Sequence, residues 1–393
     1  MIIAEGLLFL SAIGFSWPFI WYPLFVHLFP VKNFLPEPLQ PTEGVSVLVP
    51  CFNEAAIIEQ KILELRKQLV DRPFEIVIVD DGSTDTTSEI AQRLKQEYSE
   101  IQVIRFPRLG KGEAINRAWN HLTHPIVVVT DANAMLAPNA IHHLLRPFSD
   151  QRVGETRGRF FPKQISPTDF HQASAQYQDF NHRLFTQESN RNMLHVSGGA
   201  LQAFRRSLHS PSLALTMTED WDMTLEIRSQ GKAVIYTPDA IAYKRITTRN
   251  DELWRQNVRL VYGSLQTAWK YKYLANPWRY GRISFAFLSG KIAQIFGPVW
   301  ILVGIISLSF IATQHRAATI ALLLLLTYAV CGGIFFLQNI RGNGSRAQII
   351  RLLEFPIATE MAATWAWLLF FSRAGKNWKG WQPAASVRSS PHV

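Results

Sequence analysis

Acidic, amide and basic side chains follow four short apolar runs of the chain, and these are the residues best placed to do chemistry. Asp81 follows the second run, Lys111 follows the third, and Asp131 begins an Asp-Ala-Asn sequence after the fourth. Carboxylate and amide oxygens accept hydrogen bonds, and a lysine donates them as a cation. Each group alone also has a structural explanation, since an acid such as Asp85 could serve only to favour the first turn of a helix.

The elements that would position these groups alternate along the chain. Short runs rich in β-branched residues predict strands, and the stretches between them predict helices, which is typical of a mostly parallel, doubly wound α/β sheet. Ligands bind such sheets beyond the carboxyl ends of the strands, so we expect the polar residues to meet at one rim. The predicted strands are 45–49, 75–80, 101–105 and 126–130, and the predicted helices are 57–69, 84–98 and 113–122.

The composition argues against a fully soluble protein. The chain has 393 residues, of which 48% are hydrophobic and 18% are charged. Soluble domains carry roughly 25% charged residues. The 40 Lys and Arg against 30 Asp and Glu give a net charge of +10, which suits an anionic partner such as phosphate, nucleotide or acidic lipid. No nucleic-acid-binding module is recognisable, so nucleic acid is not an expected partner. Two cysteines exclude a disulfide-rich secreted scaffold.

Apolar runs at both ends of the chain predict membrane-spanning helices. Residues 2–29 are long enough to cross a bilayer and lack the features of a cleaved secretory signal, and Lys32 after them favours a cytoplasmic side. In the last third, 297–313 and 317–340 carry no charge, and 355–371 is a weaker candidate. Basic residues after this last segment argue against an outside tail, so it either spans the membrane against that rule or lies in the interface.

Seven short motifs occur in order along the chain. They are Val-Pro-Cys-Phe-Asn-Glu at 49–54, Val-Asp-Asp-Gly-Ser-Thr-Asp at 79–85, Lys-Gly at 111–112, Thr-Asp-Ala-Asn at 130–133, Val-Ser-Gly-Gly at 196–199, Thr-Glu-Asp at 218–220 and Gln-Asn-Val-Arg at 256–259. Together they resemble the motifs of membrane-bound family 2 glycosyltransferases, and among these the poly-N-acetylglucosamine, hyaluronan and cellulose synthases. The resemblance implies a GT-A catalytic domain, Rossmann-like with a mostly parallel sheet, flanked by transmembrane helices.

The resemblance implies a donor site for a nucleotide sugar, expected to be a UDP-sugar. Asp81 would accept a hydrogen bond from the imide N–H of the base, with Asp80 or Glu54 near the ribose. Lys111 would neutralise the donor phosphate. The residues implied in nucleotide-sugar binding are Pro50, Asn53, Glu54, Asp80, Asp81, Lys111 and Asp131.

The resemblance also implies a divalent cation, Mg²⁺ or Mn²⁺, because hard oxygen ligands suit these ions. The family's motif is Asp-x-Asp, whereas this chain has Asp131-Ala132-Asn133. Asp131 would be the main ligand, and Asn133 would ligate through its amide oxygen without adding charge. The departure bears on the affinity for the metal and not on the position of the site.

The acceptor would be a hydroxyl, which is a poor nucleophile until a base removes its proton. By resemblance, Asp220 is the general base, and one base with direct displacement implies inversion at the anomeric carbon. Gly198 and Gly199 would line the acceptor site, since small residues let the backbone approach a sugar closely. The structural alternative is that Thr218 caps a helix and that Glu219 and Asp220 merely favour its first turn.

The last motif bears on whether a polymer is made. Gln256 and Arg259 match the Gln-x-x-Arg-Trp motif of processive synthases, and with Glu219 they would act at the acceptor and diphosphate. Leu260 replaces the tryptophan, which removes a stacking platform for a sugar. Because the order of motifs is that of synthases, we expect transfer to a growing polysaccharide. Transfer of one sugar to a membrane lipid and a non-catalytic scaffold remain alternatives.

The predicted organisation follows from these segments. It comprises a transmembrane anchor at 1–31, a cytoplasmic catalytic domain at 32–275, an interfacial helix at 276–296, a transmembrane region at 297–372 and a partly disordered tail at 373–393. The chain would be an integral protein of the plasma (inner) membrane, in contact with its lipids. Because few spans are predicted, an export partner or a homo-oligomer would complete a pore.

Overall fold

The chain forms two compact units in the computed structural model. An α/β unit lies within 30–165 and 180–246, and a helical unit lies within 1–29, 166–179 and 247–381. The predicted domain boundaries stay predictions, and the predicted tail lies outside the described residues. The structure describes residues 1–32, 34, 44–163, 169–196, 198–211, 215–245, 250–339 and 348–372.

The α/β unit is built on one mixed sheet in the order β3-β2-β1-β4-β7-β6-β8-β5. β1 pairs in parallel with β2 and β4, β2 with β3, and β6 with β8, whereas the other three pairs are antiparallel. Six strands therefore run in one direction, which confirms the predicted mostly parallel α/β sheet. The strands are β1 (Val45–Cys51), β2 (Phe74–Asp81), β3 (Ile101–Phe106), β4 (Ile126–Thr130), β5 (Ala134–Leu136), β6 (Val153–Lys163), β7 (Leu201–Arg205) and β8 (Ala233–Arg245).

The helices of the α/β unit follow the predicted alternation with the strands. The predicted helix 84–98 begins only at Thr87, because the residues before it form the loop beyond β2. The predicted helix 113–122 begins at Lys111 and passes into a 3₁₀ turn after Ala118. The α-helices are Ile58–Leu69, Thr87–Glu97, Lys111–Ala118, Ala140–Leu145 and Glu219–Ser229, and the 3₁₀ turns are Trp119–His121, Arg146–Ser149 and Arg206–Leu208. Helix Asp169–Asn190 is divided between the two units.

Both faces of β1, β2 and β4 are buried, as expected when helices cover a sheet on two sides. Val47 and Val49 of β1 pack on one face with Ile62 of the first helix. Leu48 packs on the other face in the cluster that contains Ile115. This alternation leaves the strand ends as the place where charged side chains can meet solvent or ligand.

The helical unit packs its helices closely while it exposes large apolar side chains. A Cβ at Gly14 would overlap the ring of Trp300, so glycine allows the two helices to approach. Trp367 Nε1 donates to the carbonyl of Ile295 at 2.9 Å. The helices are Ile2–Ser16, Trp17–Trp21 (π), Tyr22–Val26, Asn250–Lys270, Lys272–Ala275 (3₁₀), Pro277–Tyr280, Arg282–Phe287, Leu288–Ile292 (π), Ala293–Ile295, Gly297–Ala312, Arg316–Asn339 and Gln348–Phe371.

One helical run among the described residues, Ile2–Val26, is long and apolar enough to cross a membrane. A second is obtained if Arg282–Ile295 and Gly297–Ala312, which meet at a bend of 63°, count as one span. The expectation from the sequence of three or four membrane spans therefore stays a prediction.

The packing of helix Ile58–Leu69 gives a test of the core. Leu65 is fully buried, so Leu65→Ala should lower the free energy of unfolding by about 2–5 kcal/mol through lost burial and the cavity left behind. Val70, just beyond the helix, is 78% exposed, and Val70→Ala is the matched control with little expected effect. Urea unfolding followed by tryptophan fluorescence measures both. Equal effects of the two substitutions would contradict the described packing.

Candidate active site

Asn53 ties together the loops beyond β1 and β2. Its φ of 54° is in the left-handed region, which asparagine tolerates better than most residues. Its N–H donates to Ser83 Oγ at 3.0 Å, and its Oδ1 accepts from the N–H of Thr84 at 2.8 Å. Ser83 therefore joins two loops instead of capping a helix, and Asn53, predicted to bind nucleotide, is a buried support of that loop.

The two acids at the end of β2 are held by the chain's own donors. Asp80 is fully buried, and its Oδ1 accepts from the N–H of Ser83 at 2.9 Å. Asp81 accepts from the N–H of Leu109 at 2.7 Å and from that of Gly110 at 3.0 Å. Asp81 also pairs with Arg108. A base that reached Asp81 would share it with these donors.

Arg108 adds a flat surface next to Asp81. Its guanidinium lies 3.6 Å from the centre of the Phe52 ring, within cation–π range. Phe52 follows β1 and Arg108 follows β3, so the stack spans the loops at the predicted donor side. Sequence reasoning missed this pair because neither residue belongs to a charged cluster along the chain.

Four charged side chains form a continuous row at the rim. Lys111 Nζ lies 2.8 Å from Asp131 Oδ1 and 2.8 Å from Glu219 Oε1. Lys244 Nζ lies 2.6 Å from Asp131 Oδ2. Signs alternate along the row, so each charge is paired with an opposite one. The structure thus brings together residues from three predicted motifs and adds Lys244, which the sequence analysis did not identify.

The row shifts the pKa values of its members. Burial raises the pKa of Asp131, but the ammonium groups of Lys111 and Lys244 outweigh it and hold that pKa well below its ordinary value. Burial lowers the pKa of Lys111, but Asp131 and Glu219 outweigh it and raise that pKa well above its ordinary value. Both groups therefore stay charged at neutral pH, as a site for a charged ligand requires.

Asp220 lies beside this row. A Cβ at Gly199 would be 3.2 Å from Asp220 Oδ2 and 3.5 Å from Lys111 Nζ, so glycine lets the backbone lie close to both groups. Asp220 Oδ1 accepts from the N–H of Trp221 at 2.8 Å. Thr218 precedes helix Glu219–Ser229 but makes no capping hydrogen bond through its side chain. The capping explanation therefore loses its main support.

A buried arginine explains Gly198. Arg157 Nη1 donates to the carbonyl of Val196 at 2.8 Å, and its guanidinium lies 4.3 Å from the centre of the Phe185 ring. A Cβ at Gly198 would be 2.6 Å from Arg157 Nη2, so a larger residue would push against this support. Ser197 of the same motif lies outside the described residues. Arg157 thus fixes the backbone of the predicted acceptor loop at Val196.

The oxygens beyond β4 fit a divalent cation. Asp131 supplies a carboxylate, and Asn133 Oδ1 is buried without a hydrogen-bond partner in the described structure. An orphaned amide oxygen two residues from a carboxylate is a donor pair that Mg²⁺ or Mn²⁺ can use together with phosphate oxygens and water. Among the described residues there is no cluster of three His, Cys, Asp or Glu side chains that could hold a metal. An ion here would depend on the ligand's oxygens.

The remaining predicted residues have different positions. Pro50 lies within β1 opposite Val79, and Glu54 follows that strand, with its N–H donating to Thr87 Oγ1 at 2.8 Å. Both are buried. Gln256 and Arg259 belong to helix Asn250–Lys270 of the helical unit, so their predicted part in the site stays a prediction.

Lys61 holds the backbone next to Asn133, a role that the sequence did not reveal. It is fully buried in helix Ile58–Leu69, and its Nζ donates to the carbonyl of Ala134, the residue after Asn133. Burial lowers the pKa of Lys61 to about 8. Its position in a helix with an ordinary amphipathic pattern gave no sign of this role, because the contact depends on β5.

Comparisons with known proteins agree with this fold. Residues 46–210 match the model of the family described as Glycosyl transferase family 2. The Staphylococcus aureus (strain COL) poly-beta-1,6-N-acetyl-D-glucosamine synthase is 23% identical over 225 residues, 56% of this chain and 54% of that protein. The probable glycosyltransferase YdaM of Bacillus subtilis (strain 168) is 22% identical over 284 residues, 67% of each chain. The match to the synthase thus spans about half of its length.

A solved structure shares the fold. The mannosyltransferase PcManGT from Pyrobaculum calidifontis, solved with GDP-Man and Mn²⁺, superposes with a TM-score of 0.70 at 21% identity over 94% of this chain and 100% of that chain. The α/β unit is thus a GT-A-type domain with an acidic and basic rim. Residues 46–210 thus match family 2 glycosyltransferases, the family that the motifs resemble.

A buried acid, Glu155, predicts how the free energy of unfolding depends on pH. Glu155 accepts hydrogen bonds from Gln202 at 2.9 Å and from Thr224 at 3.0 Å, and burial raises its pKa to about 8. Between its ordinary pKa and about 8, the folded state keeps a proton that the unfolded state has lost. The free energy of unfolding therefore falls as pH rises through this window, by up to about 1.4 kcal/mol per pH unit.

Glu155→Gln removes this titration and keeps a similar shape. We expect the stability of Glu155→Gln relative to wild type to increase between about pH 5 and 8, measured by urea unfolding at several pH values. Glu113→Gln, at a partly exposed ion pair with Arg117, is the control and should show no such trend. A flat difference for Glu155→Gln would mean that Glu155 is ionised in the folded state.

Proposed function

We propose that the chain is an inverting glycosyltransferase that moves a sugar from a nucleotide-sugar donor, a UDP-sugar, to a growing polysaccharide at the membrane. The observation that carries the proposal is the position of Lys111. Its Nζ contacts Asp131 and Glu219 at 2.8 Å each and lies next to Gly199, which Asp220 also approaches. A group for donor phosphate and a candidate base thus lie near the same glycine, as transfer between two substrates requires.

On the donor side, the charge of a diphosphate has to be balanced as it leaves. Lys111 supplies a cation that stays protonated at neutral pH. Asp131 and Asn133 would hold Mg²⁺ or Mn²⁺, which when bound would neutralise charge on the leaving diphosphate. Arg108 stacked on Phe52, with Asp81 beside it, offers a plane and an acceptor for the base.

On the acceptor side, Asp220 is the base. The acceptor oxygen forms a bond to the anomeric carbon while the bond from that carbon to the diphosphate oxygen breaks. The hydroxyl proton passes to Asp220, and the nucleoside diphosphate departs with the bonding electron pair. Attack opposite the leaving group inverts the anomeric carbon.

Exposed apolar side chains support a membrane location for the helical unit. Leu28 is 75% exposed, Phe310 is 69% exposed and Phe371 is 75% exposed. Water would penalise such a surface, and lipid would not. We infer that these helices lie in the plasma (inner) membrane with the α/β unit in the cytoplasm, and that an export partner or a second copy supplies the rest of a pore.

Relatives named as polysaccharide synthases support a polymer acceptor. The second candidate acceptor is a membrane lipid, and the observation that favours it is Leu260, which is 40% exposed where synthases have tryptophan. A leucine provides no flat platform for a sugar ring.

The base assignment predicts the effect of Asp220→Asn. An amide cannot take the acceptor's proton, so the rate of UDP release in the presence of acceptor should fall by about 10²–10⁴-fold. Binding of UDP with Mn²⁺, measured by calorimetry, should change little. Asp150→Asn, at a surface pair with Arg152, is the control. A panel of UDP-sugars and GDP-mannose identifies the donor. An unchanged rate of UDP release in Asp220→Asn would show that Asp220 is not the base.

The acceptor is tested with carbonate-washed membranes and radiolabelled donor. Activity that stays with the washed membranes supports integral association, and activity in the wash contradicts it.

A labelled product of high molecular mass that resists organic extraction supports polymer synthesis. A product that extracts into organic solvent and carries one sugar supports lipid glycosylation.

A further inference from the structure

Lys244 stands out because it reaches the rim from a strand that none of the seven motifs includes. It lies near the end of β8, where it pairs with Ala134 of β5. This register sets Lys244 close to the loop of Asp131 and Asn133. Its side chain is 33% exposed, and its Nζ lies 2.6 Å from Asp131 Oδ2.

The two oxygens of Asp131 are each occupied by an ammonium group. Lys111 takes Oδ1 at 2.8 Å and Lys244 takes Oδ2 at 2.6 Å. A divalent cation on this carboxylate would come within a few ångströms of both positive charges and repel them. One lysine has to withdraw before a metal can use Asp131.

The contacts indicate which lysine withdraws. Lys111 has a second acid, Glu219, at 2.8 Å. In the part of the chain that the structure describes, Asp131 is the one acid paired with Lys244. A lysine side chain is flexible and its ammonium is a compact charge that can be rehydrated. Lys244 therefore loses less by moving than Lys111.

We propose that Lys244 is an exchangeable counter-ion of the donor site. It neutralises Asp131 when no donor is bound. When a metal ion binds Asp131 together with the donor, the Lys244 ammonium moves to the diphosphate oxygens. The proposal rests on the proposed function. It assigns Lys244 as a second diphosphate-binding cation, in addition to Lys111.

Lys244→Met separates this role from a structural one, because the two binding steps should change in opposite directions. Without nucleotide, Asp131 is freed, so Mn²⁺ should bind more tightly by on the order of tenfold. With saturating Mn²⁺, UDP should bind more weakly by about 10-fold to 100-fold, the usual effect of a lost charge-assisted hydrogen bond. Damage to the fold would weaken both.

The experiment uses the full chain in detergent. EPR of free Mn²⁺ measures metal binding, and calorimetry measures UDP and GDP binding at saturating Mn²⁺. Lys244→Arg keeps the charge and should stay near wild type, and Lys244→Gln serves if the methionine variant does not fold. Lys232→Met is the control, because Lys232 precedes the same strand and its Nζ contacts the carbonyl of Gln151.

Each outcome decides between the proposals. Tighter Mn²⁺ with weaker nucleoside diphosphate in the Lys244 variant supports the exchange. Unchanged or jointly weakened binding, with a wild type that binds Mn²⁺ and UDP or GDP, overturns the role of Lys244 and leaves the proposed function standing. A wild type that binds neither nucleotide overturns the proposed function and this inference with it.

Discussion

A carboxylate that is largely shielded from water is stabilised by opposite charges, and the pairing of Asp131 organises the rim of the α/β unit. Its partners come from distant parts of the chain, since Lys111 begins the helix after β3 and Lys244 lies near the end of β8. Lys111 in turn holds Glu219, at the start of the helix that carries Asp220. The row of charges can therefore form only after the central strands, β8 and two helices have come together. The geometry of the site therefore depends on the whole sheet.

Two kinds of surface in one chain call for two environments. In the α/β unit, β1, β2 and β4 are covered on both faces, and charged side chains lie at the ends of the strands. In the helical unit, large apolar side chains such as Phe310 and Phe371 face outward. A surface of that kind is stable against lipid, whereas the charged rim needs water or a polar ligand.

The sequence predicts the parts of the fold that depend on local pattern. The β-branched runs at 126–130 and elsewhere give the first four strands to within two residues, and parallel topology then places Asp81 and Asp131 at one edge. It does not predict Lys244 or Lys61, because their roles depend on the register of β8 with β5 and on the backbone of Ala134. Nor does it show that Asp81 is already engaged by Arg108, since that contact follows from the path of the loop after β3.

The charge balance of the rim explains how Asn133 can stand where the related motif has an acid. Replacing that acid by an amide removes one negative charge, and Lys244 adds one positive charge nearby. Both changes weaken the hold on a free cation, and both improve the site for an anionic leaving group. Under the proposed function, the charge of a diphosphate would be balanced by the two lysines and by the ion that binds with it. The amide and the lysine therefore shift the charge of the site in the same direction, and under the proposed function such a site would take up metal together with the donor.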